Sequence, residues 1–410
     1  MRSAFRRATI VASLAVAVMF AMPLGFAQTP SSIVLLHTFG TTDAQHPVAG
    51  LIMDAAGNLY GTTISRDSDR PGAVFELLPG SNGAWTEKVV YSFLLNGKDG
   101  ESPSAALFMD AAGNLYGTTP SGGVYAEGTV FELIPGANGT WTEKKLHDFG
   151  SGTDGREPYC VLIMDTAGNL YGTTTAGGAQ NAGTVFELMP GANGVWREKR
   201  LYDFGSAKDG QNPYAGLLMD ALGNLYGSTF GGGSASFGTV FELISGANGT
   251  WTEKLLHNFG SGTDGRSPYA SLIMDTKGNL YGTAYEGGAN SAGSVFQLSP
   301  TAKGGWSETR LHDFGSGTDG AYPYAELIMD VAGNLYGTTL EGGTGFGTVF
   351  SLSPGANHMW TETLLNSFGN LDNNGCGPYA GLIRDTTGNL YSTTEGCGAS
   401  GFGTVFEITQ

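Results

Sequence analysis

Three cysteines in 410 residues are too few for a disulfide-stapled scaffold, and no Cys-x-x-Cys pair is present to hold zinc or cycle a dithiol. Basic residues are scarce: 20 Lys and Arg stand against 37 Asp and Glu, a formal net charge of −17. Such a surface repels nucleic acid and anionic lipid. Beyond residue 24 there is no apolar run long enough to cross a bilayer as a helix. A His-Glu-x-x-His pair, a nucleophile elbow and a phosphate-binding Gly-rich loop are also missing. These absences exclude a polyanion-binding protein, a helical membrane protein and the commonest motif-defined enzyme classes.

What is present begins with a targeting pattern. Arg2, Arg6 and Arg7 precede an uncharged apolar run over residues 8–24, and Gly25 and Ala27 put small residues where a signal peptidase reads. Residues 1–27 are therefore expected to be a signal peptide and the mature protein to be secreted or periplasmic. Cleavage removes three of the basic residues and no acidic one, leaving a net charge of about −20. No second apolar stretch follows, so the expectation is a soluble exported chain without a membrane span.

Glycine, at 67 residues, is abundant, and its placement is regular. Gly-Asn-Leu-Tyr occurs seven times, starting at residues 57, 113, 168, 223, 278, 333 and 388, spacings of 56 and then five times 55. A fixed period with strand-like content marks a repeat architecture. In the third repeat, residues 159–165 (YCVLIMD) form an apolar strand A, and an Asp-x-x-Gly-Asn turn leads into strand B, 170–174 (LYGTT). A Gly-rich loop precedes strand C, 183–189 (GTVFELM), whose residues alternate as a strand requires. A Pro-Gly-Ala-Asn-Gly turn then delivers strand D, 196–204 (WREKRLYDF). The unit is four antiparallel strands.

Four-stranded units with no helix between them close radially into an all-β propeller, which leaves only short protected edges. The termini favour a closed ring. Residues 32–40 (SIVLLHTFG) match the end of strand D, as in 145–150 (KLHDFG), whereas the chain stops within a strand C at residues 404–409. The N-terminal strand, 32–39, is thus expected to complete blade seven. The seven blades fall near residues 47–93, 103–149, 158–204, 213–259, 268–314, 323–368 and 378–409 of a single domain spanning 31–410. Each of the six tryptophans opens a strand D, and only the N-terminal one lacks it. The Trp is read as a cover that seals adjacent blades.

GNLYGTT, a Gly-Gly loop and GTVFEL, repeated in tandem after a signal peptide, resemble the Gloeo/Verruco (GloVer) repeat proteins of bacteria. The resemblance covers nearly all of residues 31–410. It implies an exported repeat protein, and it brings no catalytic residue to this chain.

Propeller geometry puts the B-to-C loops and the D-to-A connections on one face, where the longer and more varied loops favour binding. There an acidic or amide residue stands four positions before a Pro in every repeat, as Asp43, Asp99, Asp154, Asp209, Asp264, Asp319 and Asn374. Tyr follows that Pro in five repeats, at Tyr159, Tyr214, Tyr269, Tyr324 and Tyr379. A ring of phenols and carboxylates around a channel mouth has the chemistry of a carbohydrate site, aromatic faces meeting sugar C–H surfaces and carboxylates meeting hydroxyls. Calcium is the cation such oxygen donors would take, and no other cofactor or metal is expected. The competing reading is structural: Asp serves the turn and Tyr packs between blades. A second series, Asp54, Asp110, Asp165, Asp220, Asp275, Asp330 and Asp385, is read as hairpin caps on the opposite face.

His37, His147, His257 and His312 share one strand D position with Tyr91, Tyr202 and Asn366 and are read as interchangeable surface residues rather than metal ligands. Blade one carries Arg66, Asp67, Asp69 and Arg70 in place of a Gly-Gly loop, read as a solvated loop. Cys376 and Cys397 lie on the same face of blade seven and are expected to form a disulfide, with Cys160 a buried free thiol. Seven nearly equal loops supply like groups, whereas catalysis needs unlike groups converging on one bond. The sequence therefore favours an exported, monomeric, non-catalytic recognition or scaffold module for extracellular glycan or another surface polymer. The alternative is a secreted glycan-active enzyme, a polysaccharide lyase or glycoside hydrolase, with its site on the same face.

Overall fold

The computed structural model describes residues 31–410 apart from 42–43, 65–70, 207 and 370–372. The expected signal peptide, Asp43 and the charged loop of blade one lie outside the described residues.

The described residues form seven four-stranded antiparallel sheets arranged as the blades of a propeller, with no helix longer than a three-residue 3-10 turn. Blade three is representative: strand A is Ile163–Met164, B is Leu170–Thr174, C is Thr184–Pro190 and D is Trp196–Asp203. The A-to-B turn forms because Asp165 Oδ1 accepts the amides of Ala167 and Asn169, both at 2.9 Å, while Gly168 takes φ 85°. Only glycine adopts that left-handed value without strain.

Strand A is shorter than the expected 159–165. Residues 159–162 run beside the channel axis outside the ladder, where neighbouring blades crowd together. Their backbone is satisfied across the blade boundary instead: Thr118 Oγ1 donates to the Cys160 carbonyl at 2.9 Å, and Thr173 Oγ1 to that of Ala215 at 2.8 Å. The same link closes the ring, Thr393 Oγ1 donating to the Ala49 carbonyl at 3.2 Å. Buried carbonyls must find such partners.

Closure is completed by the N-terminus. Ser32–Thr38 pairs antiparallel with Thr404–Thr409, making it strand D of blade seven. The core sits between blades rather than within them. Tyr116, Val130, Leu146 and Phe149 of blade two pack on Cys160, Leu162, Leu170, Phe186 and Leu188 of blade three, with Trp196 over the seam. Each Leu of the Leu146 and Leu201 series reaches this core through a bulge in the C-to-D ladder, between Val185 and Phe186 in blade three.

A second pairing is absent from the sequence reading. In blades two to six, two residues of the D-to-A connection pair with two of the B-to-C loop, as Gly155–Arg156 does with Ala176–Gly177. This fixes the loops of the upper face against each other. In blade seven the corresponding contact is a single bridge, Cys376 with Gly396, and there Cys376 and Cys397 are joined by a disulfide.

Candidate functional site

Rigid loops on the upper face deliver five tyrosines to one place. Tyr159, Tyr214, Tyr269, Tyr324 and Tyr379 all line a cavity of about 330 Å³ at the channel mouth. Their rings touch in chain order, with centroids 5.4 Å apart for Tyr159 and Tyr214, then 5.1, 4.7 and 5.4 Å along the series to Tyr379. They form one continuous arc. Blades one and two place Val48 and Ser104 at the equivalent positions, so the arc is open on that side.

A second aromatic row, not foreseen from the sequence, backs the arc. Phe230 lies 4.7 Å from Tyr269, Tyr285 lies 5.4 Å from Tyr269, and Tyr322 lies 5.2 Å from Tyr285. Phe230 and Tyr285 directly follow the LYG-type strand B of their blades, so the signal was a substitution inside a repeat rather than a repeat itself. Burial raises the Tyr214 and Tyr269 phenols, the latter to about 12, with neighbouring charges adding to the effect. These hydroxyls are therefore neutral donors and acceptors at physiological pH.

The residue two positions beyond each of the five mouth tyrosines, and beyond Val48 and Ser104, lines the cavity. Around the ring these are Gly50, Ala106, Val161, Gly216, Ser271, Glu326 and Gly381. Only one is a carboxylic acid. Gly381 makes room for it, since a Cβ there would lie 2.9 Å from Glu326 Cγ. Burial pushes the Glu326 carboxyl above its usual range, and a hydrogen bond from Ser271 offsets this in part. No lysine, arginine or histidine is among the described residues lining the cavity. Glu395, at the start of the blade-seven B-to-C loop, is the second acid on its wall.

The acidic series expected to share the mouth lies elsewhere. Asp154, Asp264 and Asp319 each meet a histidine of the preceding strand D, His147, His257 and His312, at 3.0 Å. Asp209 accepts from the Tyr202 hydroxyl at 3.0 Å. These carboxylates sit in the seams between blades, and none lines the cavity. Among the described residues, a ring of carboxylates around the mouth, the arrangement on which a calcium site there depended, is not assembled. The physical reason is that the Asp also closes its own turn, Asp154 Oδ1 accepting the Gly155 amide at 2.7 Å, which holds the side chain inward. Three of the seam histidines are likewise not free surface residues: His147, His257 and His312 are half-buried and hydrogen-bonded.

The hairpin Asp series stands on the opposite face as caps. Asp110 is typical, accepting from Ala112, Asn114 and the Tyr116 hydroxyl. Partial burial raises its carboxyl, and those hydrogen bonds outweigh this and hold it below the usual range. In five blades the Tyr hydroxyl also reaches a strand C carboxylate, as Tyr116 does Glu132 at 3.0 Å, which Lys144 neutralises at 3.2 Å; Gln297 and Ser351 take that place in blades five and six.

The fold and its mouth define a closed seven-bladed propeller with one aromatic, acid-containing recess on the channel axis. The sequence model of the Gloeobacter/Verrucomicrobia repeat matches residues 18–241, 164–314 and 301–410, and the chain belongs to that family. No curated protein matches it in sequence. Among solved structures, a putative 6-phosphogluconolactonase from Bacteroides uniformis is similar with a TM-score of 0.54 and 13% identity, over 82% of this chain and 88% of that one. A putative oxidoreductase (glucose dehydrogenase) from Thermus thermophilus gives a TM-score of 0.46 and 18% identity over 75% and 94%. At these identities the likeness concerns the fold alone.

Proposed function

We propose that this protein is an exported recognition propeller that binds neutral glycan at the tyrosine-lined mouth. The observation that carries the reading is the unbroken arc of five tyrosines beside the Glu326 carboxyl. Tyrosine faces suit the apolar surfaces of sugar rings, and hydroxyl tips and a carboxyl suit their hydroxyl groups. No Lys, Arg or His is among the described lining residues, and with the acidic overall charge this disfavours anionic polymers. Contact between successive rings makes one extended site rather than separate equal sites on each blade. Export, to the periplasm or beyond, follows from the N-terminal pattern and suits a polymer ligand outside the cell.

A second reading, a glycan-cleaving enzyme, is favoured by one observation: Glu326 and Glu395 both line the cavity. Glycoside hydrolysis uses a pair of carboxyl groups about 5–10 Å apart. A panel of soluble polysaccharides, tested for binding and for reducing-end release, separates the two. Retention without cleavage is expected, lost in Tyr214→Ala with Tyr269→Ala while the circular dichroism and melting temperature hold. Failure to bind any polysaccharide overturns both readings.

A further inference from the structure

Each of the five seams from blade one to blade six gathers three side chains from three segments. One comes from the end of strand D of the first blade, one from the D-to-A connection, and one is the Glu at the third position of strand D of the next blade. At the seam of blades four and five these are His257, Asp264 and Glu308; at the seam of blades five and six, His312, Asp319 and Glu362. In each group the nitrogen and carboxylate oxygens all lie within 4.8 Å of one another.

The first group is chemically unfinished. The Asp264 side chain is only 7% exposed, yet its Oδ1 has no hydrogen-bond partner, whereas Asp154, Asp209 and Asp319 each use Oδ1 to accept the next glycine amide at 2.7 Å. Asp264 instead takes His257 and the Gly260 amide on Oδ2, at 3.0 and 3.1 Å. Glu308 Oε1 is also buried without a partner, as is Glu362 Oε1 in the second group; Glu198 and Glu253 share this in other seams, so the orphaned Asp264 oxygen is what sets the first group apart. The cation closest by charge, Arg310, is committed to Asp313 at 2.9 Å and to the Thr263 carbonyl at 2.7 Å. Two carboxylates with unpartnered oxygens and an imidazole therefore face one another in a partly buried seam. Buried groups of this kind are paired or coordinate metal.

We propose that His257, Asp264 and Glu308 form a divalent transition-metal site of the zinc type, with His312, Asp319 and Glu362 as a second copy. One imidazole and two carboxylates are an N and O donor set that zinc accepts, whereas calcium wants six to eight oxygens. The 3.0 Å separation of His257 Nε2 and Asp264 Oδ2 matches two donors on one small ion, which takes the place of the proton between them. Donors from two blades make the ion a clasp across the seam, a role independent of the sugar site. The same seam also exists without histidine: Tyr91 and Tyr202 donate to Asp99 and Asp209 at 3.0 Å, so tyrosine satisfies the Asp and folds there.

That internal precedent supplies the control. The untagged full-length protein, stripped with chelator, is titrated calorimetrically with zinc chloride and with calcium chloride, and melted with and without zinc. About two zinc ions per chain are expected, with no calcium uptake and a rise of several degrees in melting temperature. His257→Tyr with His312→Tyr should keep the fold and lose zinc uptake and the thermal shift. Glu308→Gln with Glu362→Gln should weaken zinc at least tenfold, and cobalt(II) added to the unsubstituted protein should show the absorption of a low-coordinate nitrogen and oxygen site. An unsubstituted protein that takes up no zinc, or histidine variants that take up as much, overturns the proposal.

Discussion

Ser32 and Thr409, 377 residues apart, face each other across one strand pair, their hydroxyls 2.7 Å apart. The two ends of the chain are thus one ladder, and the ring is fastened where it opens. Leu36 and Phe39, both buried, carry the fastening into the core between blades seven and one. Deleting residues 32–39 should cost roughly 3–6 kcal/mol from those two side chains alone. It also bares Thr404–Thr409 as an edge open to pairing with another chain. An earlier melt or aggregation by light scattering is expected; an unchanged monomer would argue against closure by this strand.

The disulfide gives a count. Labelling the unfolded but unreduced protein should modify Cys160 alone, because Cys376 and Cys397 are bridged. In the folded state burial pushes the Cys160 thiol up to about 11, and it should resist the reagent. Cys376→Ser with Cys397→Ser frees a 21-residue separation and should lower stability by roughly 3 kcal/mol on the chain-entropy account. Three labelled cysteines in the unfolded protein would contradict the bridge.

Packing at strand B is equally specific. A Cβ on Gly172 would lie 2.6 Å from Phe186 Cζ and 2.7 Å from Cys160 Sγ, both buried. Gly172→Ala should therefore destabilise by about 1–3 kcal/mol in urea titration, as overpacking does. Thr166→Ala, on the hairpin tip, should leave the midpoint within experimental error.

Seam carboxyls set the pH dependence. Burial raises Glu143 to about 7, with Asp99 and Asp148 adding to it and Lys145 opposing it, and burial with Asp209 raises Glu253 to about 7. Tyr91 and Tyr202 face the same Asp residues as neutral donors. Because the folded value exceeds the unfolded one, near 4.5, the folded state binds more protons in between. This stabilisation is complete below about pH 4.5 and is lost as pH rises through 7. The melting temperature should fall between pH 5 and pH 8, and Glu143→Gln with Glu253→Gln should flatten that part of the profile. A profile unchanged in the variant would remove these carboxyls from the account.

Period and termini were legible in the sequence because each blade repeats the same solution: Asp-x-x-Gly-Asn turns, the LYGTT strand, a Trp over the seam. The tyrosine mouth was legible for the same reason, five Tyr after five Pro. What escaped were departures from the repeat. Glu326 occupies a position that is Gly, Ala, Val or Ser in the other blades, and its meaning appears only when the channel brings seven such positions together. The Asp series misled because spacing gives the face of a loop residue but not the direction of its side chain. Asp154 turns into the seam toward His147 because its own turn amide and a half-buried imidazole both satisfy it there.

The most direct test of the recognition site is calorimetric titration with oligosaccharides of the polysaccharide that the panel identifies. One ligand per chain is expected, because the five rings form a single arc. Affinity should rise with chain length until the arc is spanned and then level off, and should fall at least tenfold in Tyr269→Ala with Tyr324→Ala and in Glu326→Ala. Several equal sites per chain, or affinity unmoved by these substitutions in a folded protein, would contradict the assignment of the mouth as the binding site.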